Sequence, residues 1–340
     1  MSARRLKMPL LPMEASTVDE IPVGGEWQYE PKWDGFRCIA FRHGSKIVLQ
    51  SKSGKPLTRY FPEVAAELAK LKAKEFVLDG EIVIAVGKHL SFDDLLMRIH
   101  PAASRVRKLS EETPATYIVF DLLEDGSGPL VAQALEARRK RLEAFAKREF
   151  KRPERIELSP ATRDIKTAKK WFKSAGKALD GIIAKRADVE YRSDDRSGMQ
   201  KIKKQRTVDC VVGGFRYGTN SKIVGSLLLG LYDEDGLLNH VGFTSGIARS
   251  EKAALTKKLQ KLIEPPGFTG KAPGGPSRWS TDRSTKWEPL APKLVVEVEY
   301  DHFTGGRFRH GTKLLRWRPD KAPRQCKMEQ VSQAGARASY

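Results

Sequence analysis

The pattern of apolar residues changes near residue 205, and this change limits the folds that the 340-residue chain can adopt. Before residue 205, short strand-like runs alternate with helix-like segments. After it, nearly every apolar run has the length and composition of a strand, and one helix pattern interrupts them. A mixed segment followed by a strand-rich one predicts an α+β protein of two domains, which we place at residues 1–205 and 206–340.

The first part begins with an irregular leader, residues 1–25, which contains Pro9, Pro12 and Pro22. Two apolar runs, 76–78 and 82–84, predict a pair of strands on either side of Asp79-Gly80-Glu81. Helical spacing predicts helices over 62–73, 132–148 and 166–178. The basic run at 138–141 is interpreted as a solvated helix face. Further strands are predicted over 27–30, 38–41, 47–49 and 117–120.

The second part predicts strands over 208–212, 226–232, 237–243 and 294–300. Residues 233–236 read as a hairpin turn between two of them. A helix over 251–263 ends before Pro265-Pro266, and a loop rich in glycine and proline follows at 267–276. Several short strands with one helix fit a small five-stranded barrel of the oligonucleotide-binding (OB) type. Periodicity alone leaves other small β-barrels open.

Charge and composition narrow the function classes. The net charge is +20, divided as +11 over 1–205 and +9 over 206–340, so it favours a polyanion that contacts both domains, although a ribosome-associated or merely basic protein has the same balance. No apolar run approaches the roughly 18–20 residues of a membrane span, and no secretory signal follows the N-terminus. Three isolated cysteines argue against a disulfide framework and against a cysteine zinc site, and they predict a reducing cytoplasm.

The segment E-P-K-W-D-G-F-R at 30–37 has the pattern of a nucleophilic lysine, Lys32, followed by an acidic residue, a glycine and Arg37. A free lysine amine is protonated at neutral pH, so nearby cations or a metal must favour the neutral form before it attacks. Alone, the same pattern is compatible with a surface turn. Other carboxylates and lysines recur at strand-like runs, and lysines that alternate along a strand share one face. Such convergence describes a nucleoside triphosphate site with a divalent metal.

The ordered set of motifs resembles the covalent nucleotidyltransferases, and most closely the ATP-dependent DNA ligases of the small stand-alone bacterial ligase C group. The motifs are K-W-D-G-F-R at 32–37, S-K-S-G at 51–54, L-D-G-E at 78–81, F-D at 120–121, D-G-I-I-A-K at 180–185, K-I-K at 201–203 and R-W-R-P-D-K at 316–321. The resemblance implies a nucleotidyltransferase domain with ATP-grasp-like antiparallel sheets and helices, followed by an OB-fold barrel.

The resemblance also implies a role for each matching residue. Lys32 corresponds to the adenylated lysine, Glu30 to the contact with the adenine amine, and Phe120 to the aromatic ring that stacks on adenine. The other matches in the nucleotide and metal sites are Arg37 (ribose and DNA end), Ser51, Lys52 and Gly54 (the S-R-x-G element), Glu81 (ribose or metal), Asp180 (metal), Lys185 (ATP or AMP), Lys201 and Lys203 (α-phosphate), and Arg318, Asp320 and Lys321 (pyrophosphate). Lys52 and Asp180 depart from the usual arginine and glutamate.

The implied reaction uses ATP with Mg²⁺ or Mn²⁺. Lys32 takes AMP from ATP, passes it to a 5′-phosphate at a nick in double-stranded DNA, and the adjacent 3′-hydroxyl then displaces AMP. The expected protein is a monomer, cytoplasmic and associated with the bacterial nucleoid, that acts in DNA repair. The last motif is expected to act by closure about a hinge near residues 205–207.

Several alternatives remain open at the level of the sequence. An RNA ligase or an mRNA-capping guanylyltransferase belongs to the same superfamily, although capping enzymes resemble K-T-D-G where this chain has Trp33. An NAD-dependent ligase is disfavoured because its four-cysteine zinc module has no counterpart among the three cysteines. A catalytically silent DNA-binding module is a further alternative, against which the presence of Lys32 argues.

Overall fold

A computed structural model describes residues 5–87, 89–175, 179–204, 206–274 and 286–332. The chain separates into two compact units, residues 1–204 and 205–340. Within the described ranges, every helix is too short or too polar to cross a lipid bilayer. The expected hinge lies partly outside these ranges at Gln205, and Arg206 and Thr207 are the first residues of a strand.

In its described residues, the first unit contains a four-stranded sheet, a six-stranded sheet and a two-stranded ribbon. Its elements, in chain order, are β1 (Ser16–Thr17), β2 (Trp27–Lys32), β3 (Phe36–His43), β4 (Lys46–Ser51), α1 (Pro62–Ala69), β5 (Glu75–Val83), β6 (Ala85–Val86), β7 (His89–Leu90), α2 (Phe92–Arg98), α3 (Ala103–Glu112), β8 (Thr116–Asp125), β9 (Gly128–Pro129), α4 (Leu135–Glu149), β10 (Ile156–Leu158), α5 (Ile165–Lys173), β11 (Gly181–Arg186) and β12 (Met199–Lys203). The smaller sheet has the order β1-β12-β11-β2, and the larger has β10-β8-β5-β3-β4 with β9 added to β8. Most pairings are antiparallel, and the exceptions are β1 with β12 and β10 with β8.

One face of the smaller sheet forms an apolar core. Trp27 and Tyr29 of β2 belong to a buried cluster that includes Ala168 of α5. Because successive side chains of a strand point to opposite faces, Glu30 and Lys32 lie on the other face of β2. The polar face is therefore available for a site.

The larger sheet packs both of its faces. One face forms the main core of the unit, where Leu78 of β5 meets Leu68 of α1 and Leu142 of α4. On the other face, Ile39 and Val77 belong to a smaller cluster with Met13 and Tyr191. The leader therefore packs against this face of the larger sheet through Met13. Its short strand β1 pairs with β12 of the smaller sheet.

Helix α4 buries two of the four basic residues at 138–141, so the interpretation of this run as a solvated face is wrong for them. Arg138 is 2% exposed, and its Nε and Nη2 donate to Oδ1 and Oδ2 of Asp121 at 2.9 Å each. Arg139 is buried and donates to the carbonyl oxygen of Ser159 at 3.0 Å. A cation is tolerated in the interior when a carboxylate on the neighbouring strand balances its charge.

Other differences from the sequence predictions concern boundaries. Residues 75–83 form the single strand β5, not two strands around Asp79-Gly80-Glu81, because Gly80 continues the extended backbone. There is no room for a side chain at Gly80, where an added Cβ would lie 2.5 Å from the carbonyl oxygen of Ile118. The predicted helices 62–73 and 166–178 end earlier, at Ala69 and Lys173, and residues 176–178 lie outside the described ranges.

The second unit is strand-rich, as the sequence predicts. Its elements are β13 (Arg206–Tyr217), β14 (Val224–Tyr232), β15 (Leu238–Thr244), α6 (Lys252–Gln260), β16 (Glu288–Pro289), β17 (Val295–Tyr300), β18 (Phe303–Thr304), β19 (Arg307–Phe308), β20 (Lys313–Trp317) and α7 (Glu329–Ser332). The main sheet has the order β15-β14-β13-β17-β20, and β16 pairs with β13. Residues 275–276 of the predicted loop lie outside the described ranges.

A parallel bridge between Thr244 and Thr312 joins the two ends of this sheet. Thr312 donates its N–H to the carbonyl oxygen of Phe243 at 3.0 Å, and Thr244 Oγ1 donates to the carbonyl oxygen of Thr312 at 2.9 Å. Joining the edges removes unpaired strand edges from the sheet. The predicted OB-fold barrel is therefore confirmed.

All three cysteines of the chain are buried free thiols.

Candidate active site

The register of the smaller sheet brings the predicted lysines to one face. Strand β11 lies between β2 and β12, and Gly181 is paired with Lys32 on one side and with Lys203 on the other. Side chains in register across neighbouring strands lie about 5 Å apart. The same face carries five of the site residues that the sequence predicts: Glu30, Lys32, Lys185, Lys201 and Lys203.

Asp180 forms ion pairs with two of these lysines. Its Oδ2 accepts a hydrogen bond from Lys32 Nζ and lies 3.2 Å from Lys203 Nζ. The N–H of Asp180 also donates to the carbonyl oxygen of Lys32 at 2.8 Å. Asp180 is 6% exposed, so two ammonium groups balance a carboxylate that is nearly removed from water.

Gly181 makes this arrangement possible. Its φ of +151° is a conformation that favours glycine, and an added Cβ would lie 2.0 Å from the carbonyl oxygen of Ile202. A side chain here would push β11 away from β12. The glycine in D-G-I-I-A-K therefore keeps Asp180 within reach of both lysines.

Glu30 and Lys185 form a second buried ion pair on the same face. Lys185 Nζ lies 2.7 Å from Glu30 Oε2, and Gln28 Nε2 donates to Glu30 Oε1 at 2.8 Å. All three side chains are buried. The motifs of the sequence do not single out Gln28. Because it lies two residues before Glu30 on β2, strand alternation places its side chain on the same face.

Arg37 and Asp79 are joined across two strands of the larger sheet. Arg37 Nε and Nη2 donate to Oδ1 and Oδ2 of Asp79 at 2.7 and 2.6 Å. Tyr191 Oη donates to the same Oδ2 at 2.7 Å. Such a two-point contact fixes the plane of the guanidinium. The structure thus shows Arg37 held by a buried carboxylate that the sequence assigned no role.

Phe120 reaches the site through an irregularity of β8. Between β5 and β8 the register shifts, so that Asp79 is paired with Asp121 and Gly80 with Val119. Phe120 is the extra residue at this point, and such bulges redirect a side chain. Arg37 Cζ lies 4.6 Å and Lys185 Nζ 4.4 Å from the centre of the Phe120 ring, within the range of cation–π contacts.

A cavity of about 180 Å³ gathers most of these side chains. Its lining includes Glu30, Lys32, Arg37, Lys52, Glu81, Phe120, Lys185 and Lys201, all of them predicted from the sequence. Asp180 lies beside it through its contact with Lys32, and Lys203 through its contact with Asp180. Acidic, aromatic and cationic groups on one cavity wall can bind a base, a sugar and a phosphate together.

The leader supplies a part of the cavity wall that sequence reasoning missed. Pro12, Met13, Glu14 and Ala15 line the cavity. Met13 is held by a hydrogen bond from its N–H to Tyr191 Oη at 3.1 Å. No periodicity marks this segment, because it is neither helix nor extended strand, and its contacts depend on residues about 180 positions away.

A second cavity of about 870 Å³ in the same unit shares several residues with the first. Both are lined by Pro12, Glu14, Arg37, Lys52 and Glu81. Ser51 and Lys52 belong to a turn in which Gly54, at φ +80°, donates its N–H to the carbonyl oxygen of Ser51 at 2.9 Å. The S-K-S-G motif therefore places a cation at the boundary of two cavities.

Two groups in the first cavity have shifted pKa values. Burial raises the pKa of Glu81 to about 7, although nearby Arg37 and Lys32 oppose the shift. Burial also lowers the pKa of Lys201, and the positive charges of Lys203 and Lys32 add to this effect. The cavity therefore disfavours charge on a carboxylate and on an amine alike, which is common where catalysis or binding occurs.

The last motif lies in the second unit, where its cations share one carboxylate. Arg318 Nη1 donates to Asp209 Oδ1 at 2.8 Å, and Lys321 Nζ donates to Asp209 Oδ2 at 2.7 Å. Arg318 also bonds to Asp320, and this contact lowers the pKa of Asp320 to about 2. Arg318, Asp320 and Lys321 are thus brought together with one another on the barrel, whereas the other predicted residues gather in the first unit.

Antiparallel sheets that enclose a lysine-lined cavity, followed by an OB-fold barrel, define a covalent nucleotidyltransferase. Within that class, the chain belongs to the ATP-dependent DNA ligase family. The family model of the ATP dependent DNA ligase domain matches residues 12–203, and that of the ATP dependent DNA ligase C terminal region matches residues 220–321.

Relatives agree with this assignment, and a solved structure agrees with the fold. The chain is 44% identical over 343 residues to DNA ligase C2 of Mycolicibacterium smegmatis, with 95% of this chain and 94% of the relative covered. It is 42% identical to DNA ligase C of Mycobacterium tuberculosis over the same shares of the two chains. A solved structure of a Lig E DNA ligase has the same fold, with a TM-score of 0.58, 15% identity, and 91% of this chain and 99% of that chain covered.

Proposed function

We propose that the protein seals nicks in double-stranded DNA with ATP through a covalent AMP–Lys32 intermediate. The observation that carries the proposal is the placement of Lys32. This lysine lines a cavity together with Glu30 and Phe120, and its Nζ donates a hydrogen bond to Asp180. Membership of the ATP-dependent DNA ligase family supports the choice of ATP and DNA as substrates.

In the first step the neutral amine of Lys32 attacks the α-phosphorus of ATP. A nitrogen–phosphorus bond forms, and the bond from the α-phosphorus to the bridging oxygen breaks, so that pyrophosphate leaves with the electron pair. The amine must first lose a proton, and Asp180 accepts a hydrogen bond from that nitrogen. A bonded carboxylate is a suitable acceptor for the proton.

The next two steps move AMP to DNA and release it. An oxygen of a 5′-phosphate attacks the phosphorus of AMP, and the bond to Lys32 Nζ breaks, with its electron pair returning to nitrogen. The neighbouring 3′-hydroxyl then attacks the 5′-phosphate, loses its proton and releases AMP. The protein contributes by holding the reacting groups in line and by balancing charge.

The residues around Lys32 suit the parts of AMP. We assign Phe120 to stacking on adenine, Glu30 to the adenine amine, and Arg37 to the ribose and the DNA end. The phosphate contacts are assigned to Lys185, Lys201 and Lys203. Burial of the Glu30–Lys185 pair supports a specific role, since a buried charge pair is retained at a cost in desolvation.

Mg²⁺ or Mn²⁺ would supply positive charge to the phosphates of ATP. Carboxylate oxygens are the ligands that these ions prefer, and Glu81 lies on the walls of both cavities. Asp180 already accepts from two ammonium groups, so a metal at this carboxylate would have to compete with Lys32 and Lys203. Glu81 therefore fits a metal ligand better than Asp180 does.

The proposal extends to Arg318 and Lys321, which we assign to orienting the pyrophosphate. Their shared contact with Asp209 keeps both cations on one side of the barrel. Two cations held in this way are suited to a leaving group that carries several negative charges. We further propose a role in DNA repair for a monomer in the cytoplasm, in association with the nucleoid.

Incubation with α-labelled ATP tests the proposal. The wild-type protein should acquire label that survives denaturation and alkali and is released by acid, as a phosphorus–nitrogen bond predicts, and Lys32→Ala should acquire none. Lys32→Arg should fail as well, because guanidinium stays protonated and is no nucleophile. Lys140→Ala, which removes an exposed lysine of α4, is the matched control and should label normally.

Substrate panels complete the test. The labelled protein should pass AMP to a nicked DNA duplex and seal it. Label from GTP instead of ATP would indicate a capping-type transferase, and sealing of RNA alone would indicate an RNA ligase. Labelling of Lys32→Ala would contradict the assignment of the nucleophile.

A further inference from the structure

Glu14 of the leader holds two exposed cations. Its Oε1 lies 2.7 Å from Lys52 Nζ, and its Oε2 lies 2.6 Å from Arg196 Nη2. The side chain of Glu14 is 16% exposed, against 59% for Lys52 and 68% for Arg196. A mostly buried carboxylate thus fixes two long side chains that would otherwise be free to move in water.

The backbone of Glu14 is itself well fixed. Its N–H donates to the carbonyl oxygen of Asp195 at 2.8 Å, and the neighbouring Met13 N–H bonds to Tyr191 Oη. Val18 donates to the carbonyl oxygen of Lys201 at 3.1 Å, just beyond β1. The leader therefore holds the carboxylate of Glu14 in place from both sides.

Glu14 stands at the boundary between the two cavities of the unit, since it lines both together with Lys52. The hydrogen bond from Lys52 is the main cause that lowers the pKa of Glu14, so the carboxylate is ionised at neutral pH. Arg196 and Lys52 also contribute to the lowered pKa of Lys201. Positive charge is thus concentrated at the same boundary.

We infer that Glu14 is a positioning residue that holds Lys52 and Arg196 where they bind the 5′-phosphate of the DNA strand that accepts AMP. The inference rests on the proposed function and adds a residue to it. The first cavity contains Lys32, where AMP is held, so an accepting phosphate must approach from the neighbouring space. Lys52, at the boundary of that space, is the cation that can meet it there.

The number of hydrogen-bond donors allows Glu14 and a phosphate to share these cations. A lysine ammonium has three N–H donors and a guanidinium has five, so each can keep Glu14 while it binds an oxygen of the phosphate. Without the carboxylate, the two side chains would lose rotamer freedom only when DNA binds, which weakens binding. The contribution of Glu14 is therefore to the acceptor, not to ATP.

Single-turnover transfer of labelled AMP from the protein to a 5′-phosphorylated nick tests the inference. Glu14→Gln keeps the shape of the side chain and loses its charge. We expect the half-saturating concentration of nicked DNA to rise about two- to fivefold, the range for exposed ion pairs. Self-labelling with ATP should change less than this, and Glu14→Asp should recover part of the loss.

A matched control and a double variant show whether Glu14 acts through its partners. Glu190→Gln breaks another exposed ion pair of the unit, with Arg192, and should leave transfer unchanged. In a Lys52→Met background, Glu14→Gln should have a smaller effect than in the wild type, because the shared partner is already gone.

Three results would overturn the inference. Tighter binding of the nick to Glu14→Gln would make Glu14 a competitor of the phosphate. Equal loss of self-labelling and transfer would make it a structural part of the ATP cavity. Unchanged transfer would remove it from the site. Absence of label on the wild-type protein would instead contradict the proposed function itself, so the two failures are distinguishable.

Discussion

At the scale of single residues, Glu81 shows how the cavity changes the chemistry of a carboxyl group. Burial raises its pKa from 4.5 to about 7, and Arg37 and Lys32 compensate only in part. A carboxyl group in this position is near the midpoint of its titration at neutral pH. It can therefore exchange a proton for a cation when its surroundings change, which suits a residue proposed to meet a ribose or a metal.

The stability of the protein should report this shift. The folded chain keeps the proton of Glu81 up to about pH 7, whereas the unfolded chain releases it near pH 4.5. The folded state binds more protons within this window, so the contribution of Glu81 to the free energy of unfolding falls as the pH rises through it. Glu81→Gln does not titrate. Its free energy of unfolding should therefore rise relative to the wild type between pH 5 and pH 8, by roughly 1 to 2 kcal/mol for a partly exposed group.

Urea unfolding of the two proteins at four pH values between 5 and 8 measures this difference. Glu190→Gln, at an exposed ion pair, is the control that should show no such trend. If the difference in free energy of unfolding between Glu81→Gln and the wild type stayed constant from pH 5 to pH 8, Glu81 would be ionised throughout this range.

At the scale of elements, α4 depends on a buried ion pair for its attachment to the larger sheet. Arg138 and Asp121 are 2% and 4% exposed and meet through two hydrogen bonds of 2.9 Å. Arg138→Met would leave the carboxylate of Asp121 buried without this partner. We expect a loss of about 3 to 5 kcal/mol in the free energy of unfolding.

Lys140→Met is the matched control on the same helix, because Lys140 is 75% exposed and pairs with Glu136 one turn away. We expect a change within about 0.5 kcal/mol for this variant. Denaturant unfolding of both variants makes the comparison. Similar losses for the two would mean that the position of Arg138 in the interior contributes nothing particular.

The elements also show where sequence patterns suffice. Runs of apolar residues predict β3 and β8, which are buried on both faces, and helical periodicity predicts α4, which buries one face. It fails at 75–84, where the acidic centre of L-D-G-E suggests a break and the structure has one strand, β5. It also fails at Arg138, because a pattern of apolar residues cannot show that Asp121 of β8 forms an ion pair with this arginine.

At the scale of the whole molecule, the motifs predict which residues meet but not how. Strand alternation places Lys201 and Lys203 on one face, yet only the register of β11 with β2 and β12 sets them beside Lys32. The leader wall, including Glu14, has no pattern of its own, since its conformation is set by contacts with distant residues. Long-range pairing is the part that a single sequence leaves undetermined.

The net charge of +20 is a property of the whole molecule and leads to the last prediction. Both parts of the chain carry an excess of positive charge. Each phosphate neutralised on duplex DNA contributes about −0.9 to the slope of log K against log salt concentration. We expect a steep negative slope for a nicked duplex, about −5 or steeper if about six phosphates are contacted.

Charge-neutralising variants in each unit show whether both units contribute to that slope. Lys52→Met with Lys55→Met alters the turn beside the second cavity of the first unit. Lys313→Met with Arg316→Met alters β20 of the barrel, where the two side chains are 70% and 64% exposed. Because each lost phosphate contact removes about 0.9 from the magnitude of the slope, each pair of substitutions should reduce that magnitude by about one to two.

Titrations of nicked duplex at several salt concentrations measure the slopes, and Lys140→Met serves as an exposed-lysine control. If only the first pair changed the slope, this face of the barrel would not contact DNA phosphates, and a flat slope for the wild type would assign the charge to another purpose.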